Sequence, residues 1–153
     1  MPATYSEVLA ATAMTDLDGQ PGGLQPPTGE CSSGLNQIGP VVDDKAAFFS
    51  GFATLPDDQV HTVAAPGVCI ASTYPGDSYL VGTGTSFATP IVSGVVALCI
   101  ATGHCAGLTP REIVADTAAY NSMRKNSGYG FVGDPLRLIT GKYYGYLISA
   151  ALY

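Results

Sequence analysis

Charge is scarce in this sequence. Only 12% of its 153 residues are Asp, Glu, Lys or Arg, about half the share of roughly 25% found in ordinary soluble domains. A surface with so few charges is covered by small polar residues, as in a secreted enzyme rich in Gly, Ser, Thr and Ala, or by neighbours the chain expects to pack against. Length does not separate these readings, because 153 residues suffice to bury a core. No Lys or Arg precedes Lys45, and the formal net charge is −6. Without a basic patch to neutralise phosphates, no nucleic-acid partner is expected. Long hydrophobic runs are lacking too. The longest, Val92 to Ala101, contains Ser93 and Gly94 and is far shorter than the ~20 residues a spanning helix needs, so it reads as a buried helix and not a membrane anchor. Residues 1–5 carry neither the basic region nor the apolar run of a signal peptide, so a signal for export would lie on other sequence.

Zinc-ligand spacing is also missing. Cys31, Cys69, Cys99 and Cys105 form no C-x-x-C pair. Their even count favours disulfides: Cys99 with Cys105 across a short loop at a helix end, which leaves Cys31 to pair with Cys69. Four buried thiols in a reducing compartment is the alternative.

What is present has the pattern of an α/β protein. Val8 to Met14 is a continuous apolar run, as in a strand covered on both faces of a parallel sheet. Residues 19–40, rich in Gly, Pro, Ser and Gln, read as a long surface loop that Cys31 would pin. Ala46 to Phe52 and Val60 to Ala65 read as further buried strands. Val68 to Val81 reads as a hairpin turning at Pro75-Gly76-Asp77. From Phe87 to Cys99, apolar and small residues occupy nearly the whole helix circumference, which predicts a central helix buried all round, with Pro90 in its first turn or so and Gly103 as its stop. Thr109-Pro110-Arg111-Glu112 is a capping box opening a helix to about Tyr120. A short terminal helix is expected over Tyr146 to Leu152.

Glycines, then a serine, then an apolar helix beginning at that serine is a chemical arrangement. The Ser86 hydroxyl would sit at the positive end of the helix dipole, where first-turn N–H groups stabilise an oxyanion and Gly82, Gly84 and Ala88 admit a substrate backbone. By itself the pattern means no more than an N-cap, a position serine favours. His61, after Asp57-Asp58, and His104, between Gly103 and Cys105, stand in no recognisable catalytic setting. Asp43-Asp44 and Asp57-Asp58 read as solvated loop charges.

The whole segment Gly84-Thr85-Ser86-Phe87-Ala88-Thr89-Pro90-Ile91-Val92-Ser93-Gly94 resembles the nucleophile motif of the subtilisin-like serine proteases. Val63 to Ile70 resembles the strand and turn that precede that motif, Ala47 to Phe52 a segment upstream, and Tyr5 to Met14 the strand after the family's oxyanion-hole asparagine. The stretches around Cys69 and from Cys99 to Pro110 look most like secreted bacterial members. The resemblance implies a three-layer α/β fold with a parallel sheet and a buried central helix, incomplete because its N-terminal half is missing, with residues 1–153 as the C-terminal portion of the catalytic domain. It implies Ser86 as acyl-enzyme nucleophile, with Thr85 and Gly84 supporting the oxyanion region, a polypeptide substrate, and a secreted or cell-envelope location. Structural calcium is implied for the complete domain, although no ligand cluster stands out in the sequence. Ile91 departs from the family, many of whose members have His there. The larger departure is that the D-[ST]-G, H-G-T-H and A-A-G-N segments are all absent. Activity would therefore need an N-terminal half supplying Asp, His and Asn. The alternatives are a non-catalytic remnant serving binding or assembly, and an α/β-hydrolase, against which Ala88 and Pro90 speak.

Overall fold

The computed structural model describes residues 2–23, 25–26 and 39–153. In chain order its strands and helices are β1 (Ala10–Thr15), β2 (Lys45–Ala46), α1 (Pro56–Gln59), β3 (Thr62–Pro66), β4 (Ile70–Tyr74), β5 (Ser78–Gly82), α2 (Thr85–Ala101), α3 (Pro110–Arg124) and β6 (Tyr146–Leu147), with short 3-10 turns between. The main sheet has the order β2-β1-β3-β6. β1 and β6 flank β3 in parallel, with Ala11 opposite Val63 and Val63 opposite Tyr146, while β2 runs antiparallel at the end of β1. β4 and β5 form the expected hairpin as a separate two-stranded sheet.

Alternation along the strands sorts the core into two sides. Ala13, Val63 and Ala65 face Ala88, Val92 and Val95 of α2 and Val114 of α3. Met14 and Ala64 face the other way, against Phe131 and Tyr144. Both long helices therefore lie on one face of the sheet, and a non-helical segment covers the other. At the far end of α2, the disulfide Cys99–Cys105, with a Cα separation of 5.1 Å, joins a third cluster with Ile113. The proposed partner of Cys69, Cys31, lies outside the described residues, as does most of the predicted loop from Gly19 to Pro40; Cys69 itself is disulfide-bonded.

Several expectations are corrected. Ala46 to Phe52 is not a strand: pairing stops after Ala46, because the Ser50 hydroxyl accepts the Ala13 amide at 2.9 Å and the chain turns back through Ala47 and Ser50. Tyr146 to Leu152 is not a helix. Tyr146–Leu147 pairs with β3, the Ile148 amide continues to the Ala64 carbonyl at 2.9 Å, and only Ala150–Leu152 turns as a 3-10 helix. Sheet pairing outweighs local propensity there. The capping box holds, and its helix runs on to Arg124. Pro90 falls in the second turn of α2, where its missing N–H leaves the Ser86 carbonyl without an i+4 donor.

The most consequential correction concerns α2. Its buried residues are Ala88, Val92, Val95 and Cys99, one stripe at intervals of four and three. Leu98 and Ile100 are 51% and 55% exposed. The helix is uncharged on every side, as a fully buried helix would be, yet it is buried on one side only.

Candidate active site

Ser86 is the second residue of α2 and is exposed at its N-terminal end. Gly84 is the N-cap, with φ 155° and ψ 162°, a positive φ that side chains rarely adopt. Its amide donates to the Gly67 carbonyl at 2.8 Å, and the Phe87 amide returns to the Gly84 carbonyl at 3.0 Å. One residue earlier, the Thr83 hydroxyl accepts the amide of Cys69 at 3.0 Å. The turn before the serine is thus clamped at both ends to the turn that follows β3. A Cβ on Gly82 would overlap the Phe87 ring, so that ring fixes the path from β5 into the helix.

This geometry leaves Ser86 at the helix N-terminus with amides that have no intrahelical acceptor by position. The helix dipole favours negative charge there. Thr85 points its backbone carbonyl to the Thr89 hydroxyl at 2.9 Å. It also borders a cavity of about 340 Å³ walled by Ala10, Thr12, Phe52, Asp58 and Thr62. Gly84, Thr85 and Ser86 thus form the N-terminal end of α2.

Neither histidine is available as a base. His61 is 1% exposed, its Nδ1 lies 2.9 Å from the Val8 carbonyl, and its Nε2 is 3.9 Å from Asp58. It fastens the chain entering β1 to α1. His104 pairs with Asp116 at 3.2 Å beyond the C-terminal end of α2, about 22 Å along the helix from Ser86 at 1.5 Å per residue.

Sequence reasoning missed the acidic cluster. Asp43 and Asp44 are buried, at 4% and 8% exposure, and are not solvated loop charges. Asp43 accepts the amides of Leu17 at 2.8 Å and Gln25 at 3.1 Å, and Asp44 that of Gly23 at 3.0 Å. Burial raises the Asp44 pKa; the Gly22 and Gly23 amides oppose the rise, and the charges of Asp43 and Asp16 add to it. Carboxylate oxygens of Asp16, Asp43 and Asp44 lie within 4.8 Å of one another. An all-oxygen set of this kind fits a hard cation such as calcium, though amides already hold both buried carboxylates. The three carboxylates are split between two loops, and only the doublet Asp43-Asp44 hinted at the cluster.

Residues 1–131 match the family model described as the Subtilase family. Thermitase of Thermoactinomyces vulgaris is 42% identical over 76 residues, covering 50% of this chain and 25% of thermitase. M-protease of Shouchella clausii is 58% identical over 36 residues, 24% of this chain and 10% of that protein. The thermostable alkaline protease of Halalkalibacterium halodurans is 33% identical over 97 residues, 63% of this chain and 18% of that protein. The chain thus spans a quarter or less of these relatives' length. No solved structure matches.

Proposed function

The chain belongs to the subtilase family, and from that premise we propose that it carries the nucleophile of a serine endopeptidase, as the C-terminal portion of the catalytic domain. The Ser86 oxygen bonds to the scissile carbonyl carbon of a polypeptide while its proton passes to a base. The amide C–N bond then breaks, the amine leaves with that proton, and water releases the acyl group from Ser86. The observation that carries the reading is an exposed serine in the first turn of α2, behind a glycine turn clamped to Gly67. Its own amide serves as one oxyanion donor, with Gly84 and Thr85 shaping the turn.

With His61 and His104 both committed elsewhere, the base, its orienting carboxylate and the second oxyanion donor come from an N-terminal half. The disulfide at Cys99–Cys105 favours an oxidising, secreted or cell-envelope setting. A fluorophosphonate probe tests the assignment. The chain alone is expected to label no faster than its Ser86→Ala variant, and efficient labelling of Ser86 in the chain alone would contradict the lack of a base. The uncovered side of α2 favours a second reading, a subtilase remnant that binds without catalysis. Stable monomeric folding, with no upstream reading frame for the missing segments, would support it.

A further inference from the structure

The β4–β5 hairpin runs without a break into the turn before Ser86. Ile70 opposite Gly82 is the last rung of its ladder. One step on, the Cys69 amide donates to the Thr83 hydroxyl at 3.0 Å, and beyond it the Gly84 amide donates to the Gly67 carbonyl at 2.8 Å. These two bonds tie the turn after β3 to the residues that lead into α2. The first depends on the direction in which the Cys69 backbone points its N–H.

Cys69 takes a costly path to reach Thr83. Its φ is 60°, in the left-handed region where a Cβ crowds the following carbonyl oxygen. Among the described residues only Asp44 and Asp77 share a positive φ without being glycine, and aspartate tolerates it because its short polar side chain bonds locally. Cysteine has no such compensation, and a disfavoured conformation persists only where its surroundings enforce it. Here the enforcing bond is covalent, since Cys69 is disulfide-bonded. The two disulfides also differ in reach. Cys99 and Cys105 are 0% and 2% exposed, whereas Cys69 is half-buried at the margin of the core. An attacking thiolate needs access to a sulfur, so a dithiol meets the Cys69 bridge on the folded chain and the other bridge only after the end of α2 opens.

We infer that Cys69 is a positioning residue for Ser86 and that its disulfide is a redox switch on the turn that presents the serine. Closed, the bridge keeps Cys69 in the left-handed region and its amide on the Thr83 hydroxyl. Reduction by a dithiol passes two electrons and two protons to the bridge, giving two thiols, while the dithiol becomes a disulfide. Cys69 then relaxes, its amide leaves Thr83, and the glycine turn is held at Gly67 alone. The catalytic consequence rests on the reading of Ser86 as nucleophile; the coupling between Cys69 and the turn is measured without catalysis.

The test is hydrogen exchange at the Gly84 amide, read relative to the amides of β3 so that a general loss of stability cancels. Cys69→Ser opens the bridge and leaves Cys99–Cys105 intact, and is expected to speed the relative exchange at least tenfold. Thr83→Val, which removes the acceptor, should speed it with the bridge closed, and adding Cys69→Ser should then change it less than twofold. Thr83→Ser, which keeps the hydroxyl, should restore the wild-type dependence on Cys69. Replacing Cys99 and Cys105 together by alanine should lower the unfolding temperature without changing the relative exchange. In a dithiothreitol titration followed by alkylation and mass spectrometry, Cys69 is expected to be modified before Cys99 and Cys105. Relative exchange unchanged by Cys69→Ser, or independent effects of Cys69→Ser and Thr83→Val, overturns the positioning role. Simultaneous opening of the two bridges overturns the switch. A complete enzyme that never labels at Ser86 with a fluorophosphonate counts against the nucleophile assignment and leaves this exchange pattern as it is.

Discussion

A Cβ on Gly67 would lie 2.7 Å from the Ala13 Cβ, 3.0 Å from the Gly84 carbonyl oxygen and 3.3 Å from the Ala88 Cβ. The same residue's carbonyl holds the Gly84 amide. Gly67→Ala therefore pushes the turn before Ser86 away from β1, and overpacking of this kind costs about 1–3 kcal/mol. Thermal unfolding should register the loss, and hydrogen exchange at the Gly84 amide should speed up; an unchanged exchange rate would show that Gly67 does not hold the turn. Ser86 was legible in the sequence because glycine, serine and helix are contiguous. The role of Gly67 was not, since it depends on Ala13 in another strand. Asp43 and Asp44 were misread for the same reason: their amide partners, Leu17 and Gly23, come from a different loop.

Among the elements, α3 follows its sequence most directly. Thr109 and Glu112 exchange the bonds of the capping box, the Glu112 carboxylate accepting the Thr109 amide and hydroxyl, both at 2.7 Å. The Thr109 amide first, and its hydroxyl second, hold the Glu112 pKa below the ordinary 4.5. A depressed carboxyl pKa contributes stability above the unfolded value and loses it as pH falls through the folded one. Thr109→Ala is expected to cost about 1 kcal/mol at pH 7, with the difference from wild type narrowing below pH 4.5, as urea melts at the two pH values would show. A pH-independent difference would mean that the glutamate takes no part. Strands were legible where their residues are apolar and flanked by turn formers, as in β3 and the β4–β5 hairpin. β6 was not legible, because two residues carry no periodicity and Tyr146–Leu147 is strand only through β3. The length of α2 was readable to within a few residues, and its lack of charge was readable too. Its burial was not, since composition reports what a helix expects to touch and not what is beside it.

For the whole molecule, the balance between charge and uncovered apolar surface sets solution behaviour. The sequence pI is about 4.5 and the net charge at neutral pH is −6. That repulsion keeps copies apart at pH 7, while the open side of α2 and both faces of the hairpin, with Tyr79 82% and Tyr74 55% exposed, favour contact. Light scattering of a dilute solution is expected to peak near pH 4.5 and fall toward pH 7; a flat profile would show that these faces are not adhesive. The α/β class, the parallel sheet and the place of Ser86 at the start of a helix were all foreseeable from the sequence. That both long helices share one face of the sheet was not, because facing depends on strand order and the β1–β3–β6 pairing is spread along the chain. The Thr12 hydroxyl shows how widely: it donates to the carbonyls of Val63 and Tyr144, 51 and 132 residues away. Contacts so distant must close long loops before pairing rewards them, and sheets built this way form late and slowly. During synthesis, β3 therefore waits unpaired on one side until Tyr146 and Leu147 have left the ribosome, a long interval in which its apolar residues lack their last sheet partner.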